Sequence, residues 1–176
     1  VIQELLRLGH EVEVVTTLPN YPLGQIFLVF RGRFYRYEEW QGVPLHRVWS
    51  YAAMGTGIKR MINYGSFTVT ALYGLWQAQR PDYLFVESPP PLLSIPAWLF
   101  SLGWRKPIIL NIADLWPDSI KELGLLKSGF ILKFAELLEH WSYRQATYLN
   151  AVTEGIRHTL IQDKGVAASQ VLFLPN

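Results

Sequence analysis

The sequence predicts an α/β domain built on a doubly wound parallel sheet. Three observations predict it. Short runs of apolar and β-branched residues recur along the chain without strict in-out alternation, so both faces of each strand are expected to be covered. Segments with helical spacing of apolar residues lie between them. Half of the 176 residues are hydrophobic and 14% are aromatic, enough for the core of one ordinary domain.

The elements follow in order. Ile2, Leu5, Leu6 and Leu8 have helical spacing, and Gly9 is expected to end that helix in the left-handed region. Strands are predicted at Glu11–Thr16, Val43–Val48, Tyr83–Val86, Pro107–Ile112, Tyr148–Val152 and Val171–Leu174. Residues 17–42 form a long connection rich in aromatics and Arg, in which Phe27–Phe30 and Phe34–Tyr37 are expected to pair as a hairpin around Arg31-Gly32. Over 57–79, Ile58, Met61, Ile62, Val69, Leu72, Tyr73 and Trp76 keep a helical period. Residues 83–104 carry one charge, Glu87, but Pro89-Pro90-Pro91 and Pro96 interrupt them. A membrane span needs about 20 apolar residues in a row, so a strand, a loop and a short helix are expected instead. Over 131–144, Phe130, Phe134, Leu137, Leu138 and Trp141 are expected to form the core-facing stripe.

Both ends have the pattern of a piece cut from a larger protein. The chain opens on half a helix with no strand before it, and closes on a strand followed by Pro175-Asn176. The whole of 1–176 is expected to be one amino-terminal domain whose first strand and partner domain lie outside this sequence.

Composition narrows the function. Residues 1–88 carry 8 basic and 7 acidic side chains, residues 89–176 carry the same numbers, and the net charge is +2. With no basic arm or charge block, nucleic acid is not an expected partner. Absent cysteine excludes a disulfide scaffold, a Cys-based zinc site and a thiol nucleophile. Four scattered His have no metal-ligand spacing. The sequence carries no Gly-rich dinucleotide fingerprint, Walker loop or Gly-x-Ser-x-Gly elbow.

In open parallel sheets, ligands bind beyond the carboxyl ends of the strands. The sequence places Asn20 and Tyr21 there after the first predicted strand, Glu87 and Ser88 after the third, Asp114 and Trp116 after the fourth, and Thr153 and Glu154 after the fifth. Polar and aromatic groups on one edge suit a polar, ring-shaped ligand. Asp114 and Glu87 are the candidate catalytic carboxylates. Asn20, Tyr21, Trp116, Ser88, Thr153 and Glu154 are the candidate acceptor-binding residues. Capping is the competing role for Asp114, Asp118 and Thr153, and Ser119 with Glu122 fits a capping box.

With these residues in view, the chain resembles the acceptor-side half of family 4 retaining glycosyltransferases, which have two Rossmann-like domains. It looks closest to the bacterial capsule and O-antigen branch that includes fucosamine transferases. The likeness runs through Leu8-Gly-His-Glu-Val-Glu-Val-Val-Thr-Thr17, Pro19-Asn-Tyr-Pro-Leu-Gly24, Gly42-Val-Pro-Leu-His-Arg-Val48, Arg80-Pro-Asp82 and Glu87-Ser-Pro-Pro90. It continues through Asp114-Leu-Trp-Pro-Asp-Ser119, Leu123-Gly124, Leu138-Glu139, Tyr143-Arg144, Thr153-Glu-Gly-Ile156 and Leu174-Pro-Asn176.

The resemblance implies transfer of a sugar, with retention, from a nucleotide sugar to an acceptor such as a glycan on a polyprenyl diphosphate. It implies no metal requirement and no further cofactor in this half, which would hold the acceptor. It also implies a cytoplasmic location, at the inner face of the plasma membrane. Lys59 and Arg60, beside Ile58, Met61 and Ile62, are candidates for a peripheral membrane contact. Many relatives place a His just before the aspartate; here that position is Ala113, so their acid/base detail does not carry over. Two other readings stay open: a non-catalytic membrane- or partner-binding module, and half of a sugar-nucleotide epimerase.

Overall fold

The computed structural model describes residues 1–54, 58–116 and 129–175, the side chains of 130 and 131 excepted. The chain divides into two compact units, Val1–Arg80 and Pro81–Asn176. Asp118, the Ser119/Glu122 capping box, Leu123-Gly124 and Asn176 lie outside the described residues.

The first unit contains α1 (Ile2–Arg7), β1 (Val14–Thr17), β2 (Tyr35–Trp40), β3 (Val43–Val48) and α2 (Ile58–Gln77). Gly9 has φ +85°, as a helix-ending glycine should. The sheet order is β1-β3-β2. β1 runs parallel to β3, and β2 runs antiparallel to it. The expected hairpin is therefore displaced. Leu28–Phe30 is a short 3-10 turn, and the strand after it pairs with β3 through Gln41-Gly42. Both turn residues have positive φ (52° and 80°), the backbone that a two-residue hairpin loop requires. The expected extended arm at Phe34–Tyr37 is thus the start of β2, which runs on through Glu38, Glu39 and Trp40 as a polar edge strand.

Helix α2 packs on β1 and β3 through small residues, since Thr68, Thr70, Ala71 and Gly74 are its buried positions. A Cβ on Gly74 would sit 2.5 Å from Val15 Cγ1 and 3.1 Å from Val48 Cγ1, so glycine sets the close approach. The periodic apolar residues do not all face this core. Ile58, Ile62, Val69 and Trp76 are exposed.

The second unit contains β4 (Leu84–Ser88), α3 (Ser94–Trp104), β5 (Ile108–Ile112), α4 (Gly129–Gln145), β6 (Tyr148–Ala151), α5 (Glu154–Gln162) and β7 (Val171–Phe173). Its four strands form a wholly parallel sheet in the order β4-β5-β6-β7. This is the α/β, Rossmann-like architecture the alternation of elements predicts. Helix α3 packs on β4 and β5, α5 on β6 and β7, and α4 on α3. One face of the sheet carries Leu84, Val86, Ile108, Leu110, Ile112, Leu149 and Ala151, all buried. Each fully buried Leu or Ile contributes about 1.5–3 kcal/mol.

Helix α4 corrects a second expectation. Phe134 and Leu137 are exposed, whereas Ala135, Glu139, Ser142 and Tyr143 are buried. The Tyr143 hydroxyl and Lys164 Nζ donate to the Glu139 carboxylate, each at 2.9 Å, which satisfies a charge inside. Among the described residues, β1 and β2 end the first sheet and β4 and β7 the second, each with a strand on one side only. No described helix is long and apolar enough to cross a membrane.

Candidate functional site

The parallel register decides which side chains meet at the carboxyl edge of β4–β6. Glu87 pairs in register with Asn111, Asn111 with Asn150, and Asn150 with Leu172. In a parallel sheet, residues in register point to the same face. Glu87, Asn111 and Asn150 thus form one row, and they are hydrogen bonded along it. Asn111 Nδ2 donates to Glu87 Oε2 at 2.8 Å, and Asn150 Nδ2 donates to Asn111 Oδ1 at 2.6 Å. Asn150 Oδ1 accepts from the Leu174 N–H at 2.8 Å, while its Nδ2 also reaches the Leu174 carbonyl at 3.2 Å. Both Asn are 2% exposed, whereas Glu87 is exposed.

Asp114 lies just past the end of β5. The Ala113 N–H donates to the Ser88 carbonyl at 3.0 Å, so the β4–β5 ladder runs one residue past β5 and delivers Asp114 to the same edge. Asp114 is exposed there. Ser88 is buried on the opposite face of β4 from Glu87. Trp116 is 7% exposed and belongs to the core, so it offers no open ring for a ligand. Four residues on from the strand, the chain has turned inward, with the Trp116 N–H on the Asp114 carbonyl.

After β6, Thr153 caps α5: its Oγ1 accepts from the Ile156 N–H at 3.1 Å. Glu154, in the first turn, pairs with Arg157 at 3.3 Å. Both lie at the same edge, with part of their bonding capacity already used.

The first unit holds the remaining candidates. Asn20 turns back on its own loop, donating to the Leu18 carbonyl at 2.9 Å. Tyr21 is 87% exposed. Lys59 and Arg60 are exposed on the first turn of α2, and the Arg60 guanidinium lies 5.3 Å from the Tyr64 ring centroid. Within the second unit the structure therefore places Glu87, Asp114, Thr153 and Glu154 at one sheet edge, while Trp116 and Ser88 are buried. Asn111 and Asn150 were missed by sequence reasoning. Their signal was a lone amide inside each of two otherwise apolar strands, which a buried position must satisfy.

Among the described residues no three His, Asp or Glu gather as a metal site. A cavity of about 660 Å3 lies away from the edge, lined by α4 residues such as Lys133 and Glu136 and by Thr159, Asp163 and Lys164. It includes none of the candidate site residues.

A family model described as "Glycosyl transferase 4-like domain" matches residues 1–176. Among curated proteins, the chain is 28% identical over 182 residues to "Putative colanic acid biosynthesis glycosyl transferase WcaI" of Escherichia coli (strain K12). The match covers 99% of this chain and 44% of that relative, so the chain spans under half of the relative's length.

Proposed function

We propose a function from one premise: this chain belongs to the glycosyl transferase 4-like domain family. It is the acceptor-holding half of a retaining glycosyltransferase. The whole enzyme takes a sugar from a nucleotide-sugar donor, bound largely by a second domain. It passes the sugar to a glycan on a polyprenyl diphosphate carrier during cell-surface polysaccharide synthesis, without a metal. The polysaccharide setting leans on the relative named for colanic acid biosynthesis. The fucosamine-transferase-like branch leans on the motif around Asp114.

The observation that carries the reading is the delivery of two carboxylates to one sheet edge, Glu87 at the end of β4 and Asp114 just past β5. An acceptor hydroxyl must lose a proton as it attacks the anomeric carbon. A carboxylate within reach can take that proton or orient the hydroxyl so that the departing phosphate takes it. Glu87 suits the orienting role, because Asn111 already fixes one of its oxygens. Asp114 suits the proton-accepting one.

Asp114→Asn and Glu87→Gln in the whole protein test this. Transfer is measured from a panel of UDP- and GDP-sugars to the lipid extract of the producing cells. General-base and orienting groups are worth about 10²–10⁴-fold in rate, so kcat/KM should fall at least tenfold in each. Wild-type kcat/KM in both would sink the site.

A peripheral contact with the inner face of the cytoplasmic membrane belongs to the same proposal. It is supported by exposed Ile58 and Ile62 beside Lys59 and Arg60. Ile58→Asp with Lys59→Glu should weaken sedimentation with anionic phospholipid vesicles, and unchanged sedimentation would count against it.

A further inference from the structure

We infer that Asn111 and Asn150 are positioning residues, a one-way hydrogen-bonded ladder that holds the Glu87 carboxylate and fastens it to the backbone just beyond β7. The inference rests on the reading of Glu87 as a site residue, and extends it to two buried amides and one backbone segment.

The two ends of the ladder have fixed polarity. At Leu174 the group facing Asn150 Oδ1 is an N–H, which can only donate. At Glu87 the group facing Asn111 is a carboxylate, which when ionised can only accept. An amide between a fixed donor and a fixed acceptor has one satisfied orientation. Asn150 must turn its oxygen to Leu174 and its Nδ2 to Asn111, and Asn111 must turn its oxygen to Asn150 and its Nδ2 to Glu87. That is the arrangement observed, with links of 2.8, 2.6 and 2.8 Å.

Every dipole in the series therefore points its positive end at the carboxylate. Bonds aligned head to tail polarise and strengthen one another, most of all where water is excluded. Both amides are 2% exposed, so solvent does not offer either an alternative partner. Asn150 also holds Leu174 by both backbone groups, accepting from its N–H and donating to its carbonyl at 3.2 Å. The segment leaving β7 is thus tied, through two side chains, to the rotamer of a carboxylate two strands away.

A purely structural ladder would stabilise the sheet and do nothing more. A positioning ladder acts through Glu87, and the two are separable by a mutant cycle in the whole protein. Asn150→Asp keeps an acceptor for the Leu174 N–H but removes the donor to Asn111. Asn111 is then drawn to turn its Nδ2 toward position 150 and its oxygen toward Glu87, acceptor against acceptor. With Gln at 87, the new amide can donate to that oxygen, so the link between 87 and 111 is restored, while the Leu174 carbonyl loses its donor equally in both backgrounds.

The expected results follow. With the lipid extract and nucleotide-sugar panel as probes, Asn150→Asp should lower kcat about tenfold, the size of one lost charge-assisted bond. Glu87→Gln/Asn150→Asp should be no worse than Glu87→Gln alone. Equal losses from Asn150→Asp in both backgrounds would overturn the ladder while leaving Glu87 in the site. A Glu87→Gln variant with wild-type kinetics would instead overturn the reading of the site, and the positioning role with it.

A second measurement needs neither substrate nor a buried change. In the ¹⁵N-labelled protein, Glu87→Gln removes the charge at the exposed end of the ladder. The side-chain amide resonances of both Asn111 and Asn150 and the Leu174 backbone amide should shift together. A shift confined to Asn111 would overturn the ladder.

Discussion

The two sheets each bury a polar chain, and the chains end differently. In the first unit, His46 on β3 is 4% exposed, with Tyr35 Oη 2.9 Å from its Nδ1 and Glu13 Oε2 3.1 Å from its Nε2. Glu13 Oε2 also accepts from the Gln79 backbone N–H at 3.0 Å, just past α2. Burial, with Tyr73 adding to it, pushes the Tyr35 phenol above its ordinary pKa. This network closes on the protein's own backbone. In the second unit the chain from Leu174 through Asn150 and Asn111 ends on an exposed carboxylate at the sheet edge. A polar network that closes is architecture. One that ends on an exposed carboxylate at a sheet edge is the feature on which the proposed function draws.

The contrast is broken most strongly away from both sheets, at Glu139. There the second unit also buries a closed polar cluster, with Lys164 and Tyr143 donating to one carboxylate. Removing one member of a buried ion pair costs about 3–5 kcal/mol. Lys164 keeps 14% of its side chain exposed, so Glu139→Ala should sit near the low end, about 3 kcal/mol by urea denaturation. A loss under about 1 kcal/mol would mean the cluster behaves as a surface pair.

His46→Leu sharpens the contrast. It deletes the centre of the closed network and should cost about 1–3 kcal/mol of stability. The kinetics of the whole protein should remain those of wild type. A fall in kcat/KM at a temperature where the variant is fully folded would show that the first network also reaches the site.

The smallest effect concerns the opposite edge of the parallel sheet. Lys106 Nζ donates to Asp82 Oδ1 at 2.8 Å, and this bond, with the lysine's charge, holds the Asp82 carboxyl below its ordinary pKa. A depressed folded pKa contributes stability above the unfolded value of about 3.9, which is lost as pH falls through the lower folded value. Asp82 is exposed, so the effect is small and screened by salt. Asp82→Asn should leave the melting temperature at pH 7 almost unchanged and flatten its decline in acid. An identical acid slope would show that the pair contributes nothing.

Much of this was legible in the sequence for a simple reason. Buried strands are mostly apolar, and β3, β5 and β6 were visible as such runs despite His46, Asn111 and Asn150, as was the short β7. β2 was visible only in its first half, as the Phe34–Tyr37 arm of a hairpin with the wrong partner, because an edge strand keeps polar residues such as Arg36 and Glu38, which form an ion pair at its surface. The helices show why periodicity alone misplaces a core. α2 buries Gly74 and Ala71 while Trp76 is 70% exposed, because close backbone approach selects size before hydrophobicity. Among the candidate site residues, the edge positions of Glu87 and Asp114 were legible from their places at the ends of apolar runs. The fate of Trp116 was not, since nothing in Asp-Leu-Trp says that the ring turns inward. Asn111 and Asn150 were overlooked because each sits in an apolar run where only the register reveals its neighbour.

Among the described residues, β1 and β4, like β2 and β7, have a partner on one side only, and this has a practical consequence. A row of unpaired N–H and C=O groups is a template for another chain. The four residues of β1 and the five of β4 are short, which limits each edge, but neither carries a proline within it. Strand addition at such a margin is the route by which copies of one chain associate. The chain's colloidal behaviour at high concentration will therefore report on its sheet margins well before it reports on sugars.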